Sequence, residues 1–278
     1  MSFAARLTAP LALALACALP AVAQQKDKEY EPQVGQAGKD VIWVPTPDEV
    51  VDRMLRMAQV TQNDYVVDLG AGDGKIAIAA AKKMGARSLG IEYNPDMAKH
   101  AQRNVEKAGV STRAKIIQGD IFASDFTTAT VVTMYLLPAL NIKLRPQILA
   151  MRPGTRVVSH SFNMEDWEPD ETSSMDGRRA YLWIVPANVM GGWTVDMGGE
   201  RAELTFEQKF QKLDGHIALG SIRAGLREAR LRGFQISFAY VDNAGMRRDF
   251  SGRVTGNRME GSFRTDAGAD GRWSAAKK

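Results

Sequence analysis

The 278-residue sequence holds one cysteine, Cys17, and it falls inside an N-terminal apolar run. A lone cysteine has no partner for a disulfide, and none remains for thiol chemistry once that run is removed. Histidine is almost as scarce. His100, His160 and His216 are far apart and show no metal-ligand spacing, so no metal is expected. Long apolar runs are missing too. Residues 7–19 form one that is too short, and too broken by Pro10 and Pro20, for a permanent membrane span. The main glycine-rich turn also lacks the G-x-G-x-x-G of dinucleotide sites and the G-x-x-x-x-G-K-[ST] of P-loops.

What is present begins at the N-terminus. Arg6, the apolar run and Ala21-Val22-Ala23 before Gln24 have the parts of a secretory signal peptide over residues 1–23. The expectation is an exported chain, in a bacterial periplasm, with no membrane span after cleavage. Residues 24–47 are then an N-terminal arm with two readings: a lid over a ligand, or a plain arm packed on the sheet. Thr46-Pro47-Asp48-Glu49 predicts a helix start, with Thr46 as cap and Glu49 closing a capping box.

From there to Pro186 apolar strands alternate with helical periods. Strands are expected at residues 65–67, 88–93, 114–118, 130–136, 155–160 and 179–186, with helices after the first, second and fourth; the helix after the fourth strand is expected at residues 142–151. This predicts an α/β domain over residues 48–186, with a parallel sheet and helices on both faces. Past Pro186 only short strands and turns remain, Asp214-Gly215 and Gly256-Asn257 among the turns. Residues 187–278 are expected to form a smaller antiparallel all-β domain. The net charge of +4 resides there, since residues 1–186 balance. Its arginines between residues 223 and 232 suit either an anionic partner or the wet face of a sheet. No aromatic-basic motif points to nucleic acid.

The chemistry centres on Asp68-Leu69-Gly70-Ala71-Gly72-Asp73-Gly74, between the first strand and its helix. Glycine permits the sharp turn and leaves backbone open to a ligand. Asp68 stands before the first glycine, where it would repel a pyrophosphate and suits a cationic ligand. Glu92 ends the next strand about 20 residues on, where a carboxylate can hold a ribose diol. Asp120 follows the third strand. This D-x-G-x-G-x-G pattern with Glu92 and Asp120 resembles the class I S-adenosylmethionine-dependent methyltransferases, which implies a Rossmann-like sheet and S-adenosyl-L-methionine as cofactor. Val44-Pro45-Thr46-Pro47, Gly90-Ile91-Glu92 and Tyr135-Leu136-Leu137-Pro138 narrow the resemblance. They are similar to the small lysine methyltransferases of the ATP synthase c-subunit and adenine nucleotide translocase, with their bacterial relatives.

The resemblance implies that Asp68, Gly70, Ala71, Gly72, Gly74, Glu92 and Asp120 bind the cofactor. Glu92 would take the ribose and Asp120 the adenine end. Gly70 to Gly74 would underlie the methionine portion, and Asp68 would either meet its ammonium or organise the turn. Tyr135, Leu136 and Pro138 would face the methyl group. Tyr135 is a candidate wall for a lysine slot, or else a core tyrosine at a strand end; His160 either lines the site or hydrogen-bonds at the sheet edge. The implied activity is methylation of a lysine on a protein partner. Two other readings stay open: a small-molecule or lipid methyltransferase, and an exported, non-catalytic scaffold whose β-domain binds an envelope partner. Export favours the last, because S-adenosylmethionine is made in the cytosol.

Overall fold

The computed structural model describes Met1 and residues 30–278; the expected signal peptide and the first residues of the arm lie outside the described residues. Seven strands form the first sheet. They are β1 (Tyr65–Leu69), β2 (Arg87–Glu92), β3 (Ala114–Gln118), β4 (Val131–Met134), β5 (Arg156–His160), β6 (Glu171–Met175) and β7 (Arg178–Ile184). Their order is β3-β2-β1-β4-β5-β7-β6. The first five are parallel; β7 runs antiparallel between β5 and β6.

Strand alternation sends neighbouring side chains to opposite faces. Val66, Val131 and Val158 pack under α1 (Asp48–Met57) and α2 (Lys75–Met84). Val67, Val132 and Val157 pack under α4 (Pro138–Leu149) and the loops carrying Phe126 and Trp167. The remaining helix, α3 (Pro95–Lys107), covers β3 with the alanines of α2. Both faces of the sheet are therefore buried, as a doubly wound sheet requires. Strand order reverses between β1 and β4, and in open α/β sheets ligands bind outside the carboxyl ends of the strands at such a point.

Three local expectations change. Thr46 caps nothing: α1 starts after Pro47 with no side-chain cap, and the Thr46 hydroxyl lies 3.2 Å from His160 Nδ1 instead. The fourth helix begins at Pro138 rather than residue 142, because proline costs nothing at a first helical position. Asp214-Gly215 is no turn; both residues lie inside β10 (Lys212–Leu219). Gly215 is there because a Cβ would stand 1.9 Å from the Thr205 carbonyl oxygen.

The β-rich part is a meander of β8 (Gly191–Met197), β9 (Glu200–Lys209), β10, β11 (Ile222–Gly225), β12 (Arg227–Arg232), β13 (Gln235–Val241), β14 (Arg247–Thr255), β15 (Arg258–Thr265) and β16 (Asp270–Lys277). It closes: β16 pairs with β8, and β10 bonds β9 on one side and β11 and β12 on the other. The inward residues, among them Trp193, Phe206, Phe238, Phe250 and Trp273, fill the barrel as a packed core. The barrel leans on the first sheet's layer through its β9–β10 hairpin. Phe210 stacks on Trp167 at 5.6 Å, and the Trp167 indole N–H donates to Gln211 Oε1 at 2.9 Å.

Candidate active site

The glycine turn leaves β1 and enters α2 with Gly70, Gly72 and Gly74 all at positive φ (77°, 54° and 82°). Side chains rarely adopt that conformation, so the turn needs glycine. The backbone N–H groups of Gly70 and Ala71 both donate to the Ile91 carbonyl, tying the turn to the end of β2. Glu92 continues that tie. Its carboxylate accepts from Gly72 N at 2.9 Å and from Asn94 N at 2.9 Å. Each carboxylate oxygen keeps a second lone pair for a ligand hydroxyl.

Asp68 is 2 % exposed, and its Oδ1 accepts from the Thr133 hydroxyl at 2.7 Å. Burial pushes its carboxyl up to about 7, with Asp73 and Glu92 adding to the rise against the Thr133 hydrogen bond. Asp120 differs, being partly exposed. It accepts from Lys39 Nζ at 2.8 Å and from Phe122 N at 2.9 Å, and both bonds hold its carboxyl below the usual range.

These groups line one cleft of about 730 Å³ at the carboxyl ends of β1, β2 and β4, a volume ordinary for a cofactor site. Asp68, Gly70, Ala71 and Gly72 form its floor, with Glu92 and Asp120 along one side. Tyr135 and Leu136 stand at the other end. Two expected residues stay outside it. Gly74 precedes α2 with its Cα facing Ala101 and Ile116, and Pro138 opens α4. The opposite wall is the segment of residues 36–46, whose Trp43 indole abuts Gly72. Of the arm, residues 36–46 line the cleft.

Tyr135 is sandwiched. Its ring centroid lies 4.0 Å from that of His160 and 6.1 Å from that of Phe162. His160 is 3 % exposed and stands behind Tyr135 rather than in the lining. Burial pushes its imidazole down to about 4, helped by the Arg178 charge, so it is neutral at physiological pH. Trp43, Lys39 and Phe162 are among the cleft residues to which the sequence reading gave no individual role. They come from the arm and from the loop after β5, which no motif spacing links to the glycine turn. Among the described residues no cluster of histidine, cysteine and carboxylates is arranged to hold a metal.

A cleft of this form at the switch point of a β3-β2-β1-β4-β5-β7-β6 sheet defines an S-adenosylmethionine-dependent methyltransferase. The family profile described as the ANTKMT methyltransferase domain matches residues 68–171. A protein-lysine N-methyltransferase of Saccharolobus islandicus is 44% identical over 151 residues, 52% of this chain and 94% of the relative. The mouse lysine N-methyltransferase of the ATP synthase c-subunit is 31% identical over 47% of this chain and 53% of its own length. A solved RNA methyltransferase from Salinibacter ruber, in complex with S-adenosyl-L-homocysteine, is 50% identical, with TM-score 0.52 over 52% of this chain and 96% of that one. The chain belongs to this methyltransferase family. It spans about half the length of the mouse relative, and none of these three matches extends over much more than half of this chain.

Proposed function

We propose that the protein methylates a lysine side chain of a protein partner. The observation that carries this reading is the apolar, aromatic end of the cleft, lined by Tyr135, Leu136, Leu140 and Phe162. The names of the Saccharolobus and mouse relatives support it. The residues fit the cofactor: a cradle only glycine can form, a carboxylate with free lone pairs, and an acidic side chain buried beside the turn. When bound, the cofactor supplies an electrophilic methyl group on a sulfonium.

The chain's part is then to bind, align and dry. Glu92 accepts the ribose hydroxyls and Asp120 receives the adenine end; Asp68 favours a positive charge near the turn. A lysine must lose its proton before it attacks, which costs about 4.6 kcal/mol at pH 7 from its reference pKa of about 10.4. The slot beside Tyr135 and Phe162 lowers that cost by withdrawing water from the ammonium. Alignment of nucleophile and methyl contributes up to about 7–11 kcal/mol. Leu136, held at 4 % exposure, stands at the methyl end.

The Salinibacter relative's description as an RNA methyltransferase favours a second reading, an RNA acceptor. Against it, both lysines lining the cleft are already ion-paired, Lys39 with Asp120 and Lys75 with Asp48, which leaves little to meet phosphate. We also place the protein outside the cytoplasm, on the strength of residues 1–23. Isotope-labelled S-adenosylmethionine, offered with lysine-rich peptides, total RNA and lipid extract in parallel, tests the acceptor. Label recovered as methyllysine supports the proposal; label confined to RNA or lipid overturns it.

A further inference from the structure

The amino-acid end of S-adenosylmethionine carries a carboxylate as well as an ammonium. Asp68, Asp73 and Glu92 crowd the glycine turn, which suits the ammonium and repels the carboxylate. Most backbone donors of the turn are already committed. The N–H groups of Gly70 and Ala71 serve Ile91, that of Gly72 serves Glu92, that of Gly74 serves Ala71, and that of Lys75 serves Asp73. The two cations of the cleft are held by Asp120 and Asp48.

A side-chain donor is placed at the turn beside them. Trp43 Nε1 is the heavy atom nearest to where a Gly72 Cβ would stand, 2.5 Å from it. Among the described residues it has no hydrogen-bond partner, and an indole nitrogen can only donate. Its backbone is fixed: Gly35 N–H donates to the Trp43 carbonyl at 2.8 Å, and Trp43 N–H donates to Gln36 at 2.9 Å. Resting on the methyltransferase reading, we propose that the Trp43 indole N–H donates to the cofactor's carboxylate, making Trp43 a cofactor-binding residue. Gly72 is then needed twice, for its φ of 54° and for the space its missing Cβ leaves the indole.

Calorimetry of the full chain and of Trp43→Phe, with S-adenosylhomocysteine and with 5′-methylthioadenosine, tests this. The second ligand keeps the nucleoside and lacks the carboxylate. Phenylalanine keeps one aromatic ring and loses the N–H together with part of the indole's packing surface, an effect that falls on both ligands alike. Loss of a hydrogen bond to a charged group predicts S-adenosylhomocysteine binding weakened at least about tenfold more than that of 5′-methylthioadenosine. The other tryptophans, Trp167, Trp183, Trp193 and Trp273, are at most 2 % exposed. Quenching of tryptophan fluorescence by S-adenosylhomocysteine should therefore vanish in the variant. Equal weakening of both ligands, or no weakening of the first, overturns the proposal while the methyltransferase reading stands. A wild-type chain that binds neither ligand overturns both.

Discussion

At the scale of single residues, two carboxylates at the glycine turn, half-buried Glu92 and buried Asp68, have opposite tasks. Glu92 is held open to a ligand by two backbone donors, so Glu92→Ala removes acceptors worth on the order of 1.5–3 kcal/mol each. Cofactor affinity measured by calorimetry should fall at least tenfold. Asp68 instead carries a raised pKa. A carboxyl at 3.8 in the unfolded chain and about 7 in the folded one binds its proton more tightly when folded. Its contribution to stability is thus fully present below pH 3.8 and is lost as pH rises through about 7. Urea titrations of wild type and Asp68→Asn should diverge over this window, the wild type losing more stability between pH 5 and 8. A cationic ligand beside Asp68 should release a proton on binding near pH 7. Asp68, Glu92 and Asp120 were legible in the sequence because each ends or follows a strand at a spacing set by the βα unit. Trp43 and Phe162 were not, because tertiary folding alone brings the arm and the loop after β5 to the turn.

At the scale of elements, the strands that bury alternating apolar residues were legible, and those that do not were missed. β6, Glu-Thr-Ser-Ser-Met, buries only Ser173 and shows no apolar alternation. It forms because β7 offers it an edge. Asp214-Gly215 has turn chemistry, yet its neighbours pair with β9 residue by residue, so sheet closure overrides the local signal. That difference is testable. Gly215→Ala should lower barrel stability by about 1–3 kcal/mol, since the new methyl has no room beside Thr205. Gly256, in an open turn with nothing within 4 Å of its missing Cβ, should tolerate alanine with a smaller loss. Chemical denaturation of the two variants compares them directly.

At the scale of the whole molecule, all the proposed cofactor contacts come from elements before β8, while Trp167 takes one of its ring contacts and its N–H acceptor from the barrel. A chain truncated to residues 24–186 should therefore fold and bind S-adenosylmethionine nearly as well as one that also has the barrel, but melt at a lower temperature. Calorimetry and thermal unfolding on both chains check this. A truncated chain that is folded and cannot bind would place the barrel in the cofactor site.

The closed ring of the barrel also limits how other chains can join this one. A strand with unpaired backbone groups invites another strand to add to it, and among the described residues the barrel leaves one such strand, the four-residue β11, which pairs with β10 alone. The other open edges are the two of the first sheet. At β3, the Ile116 N–H is already taken by the Gln102 side chain at 2.9 Å. At β6 the edge is short, and Arg53 lies across it with a hydrogen bond to Ser173. A partner of the barrel must therefore be recognised mainly through side chains, and the described residues present only short edges from which a fibre could grow.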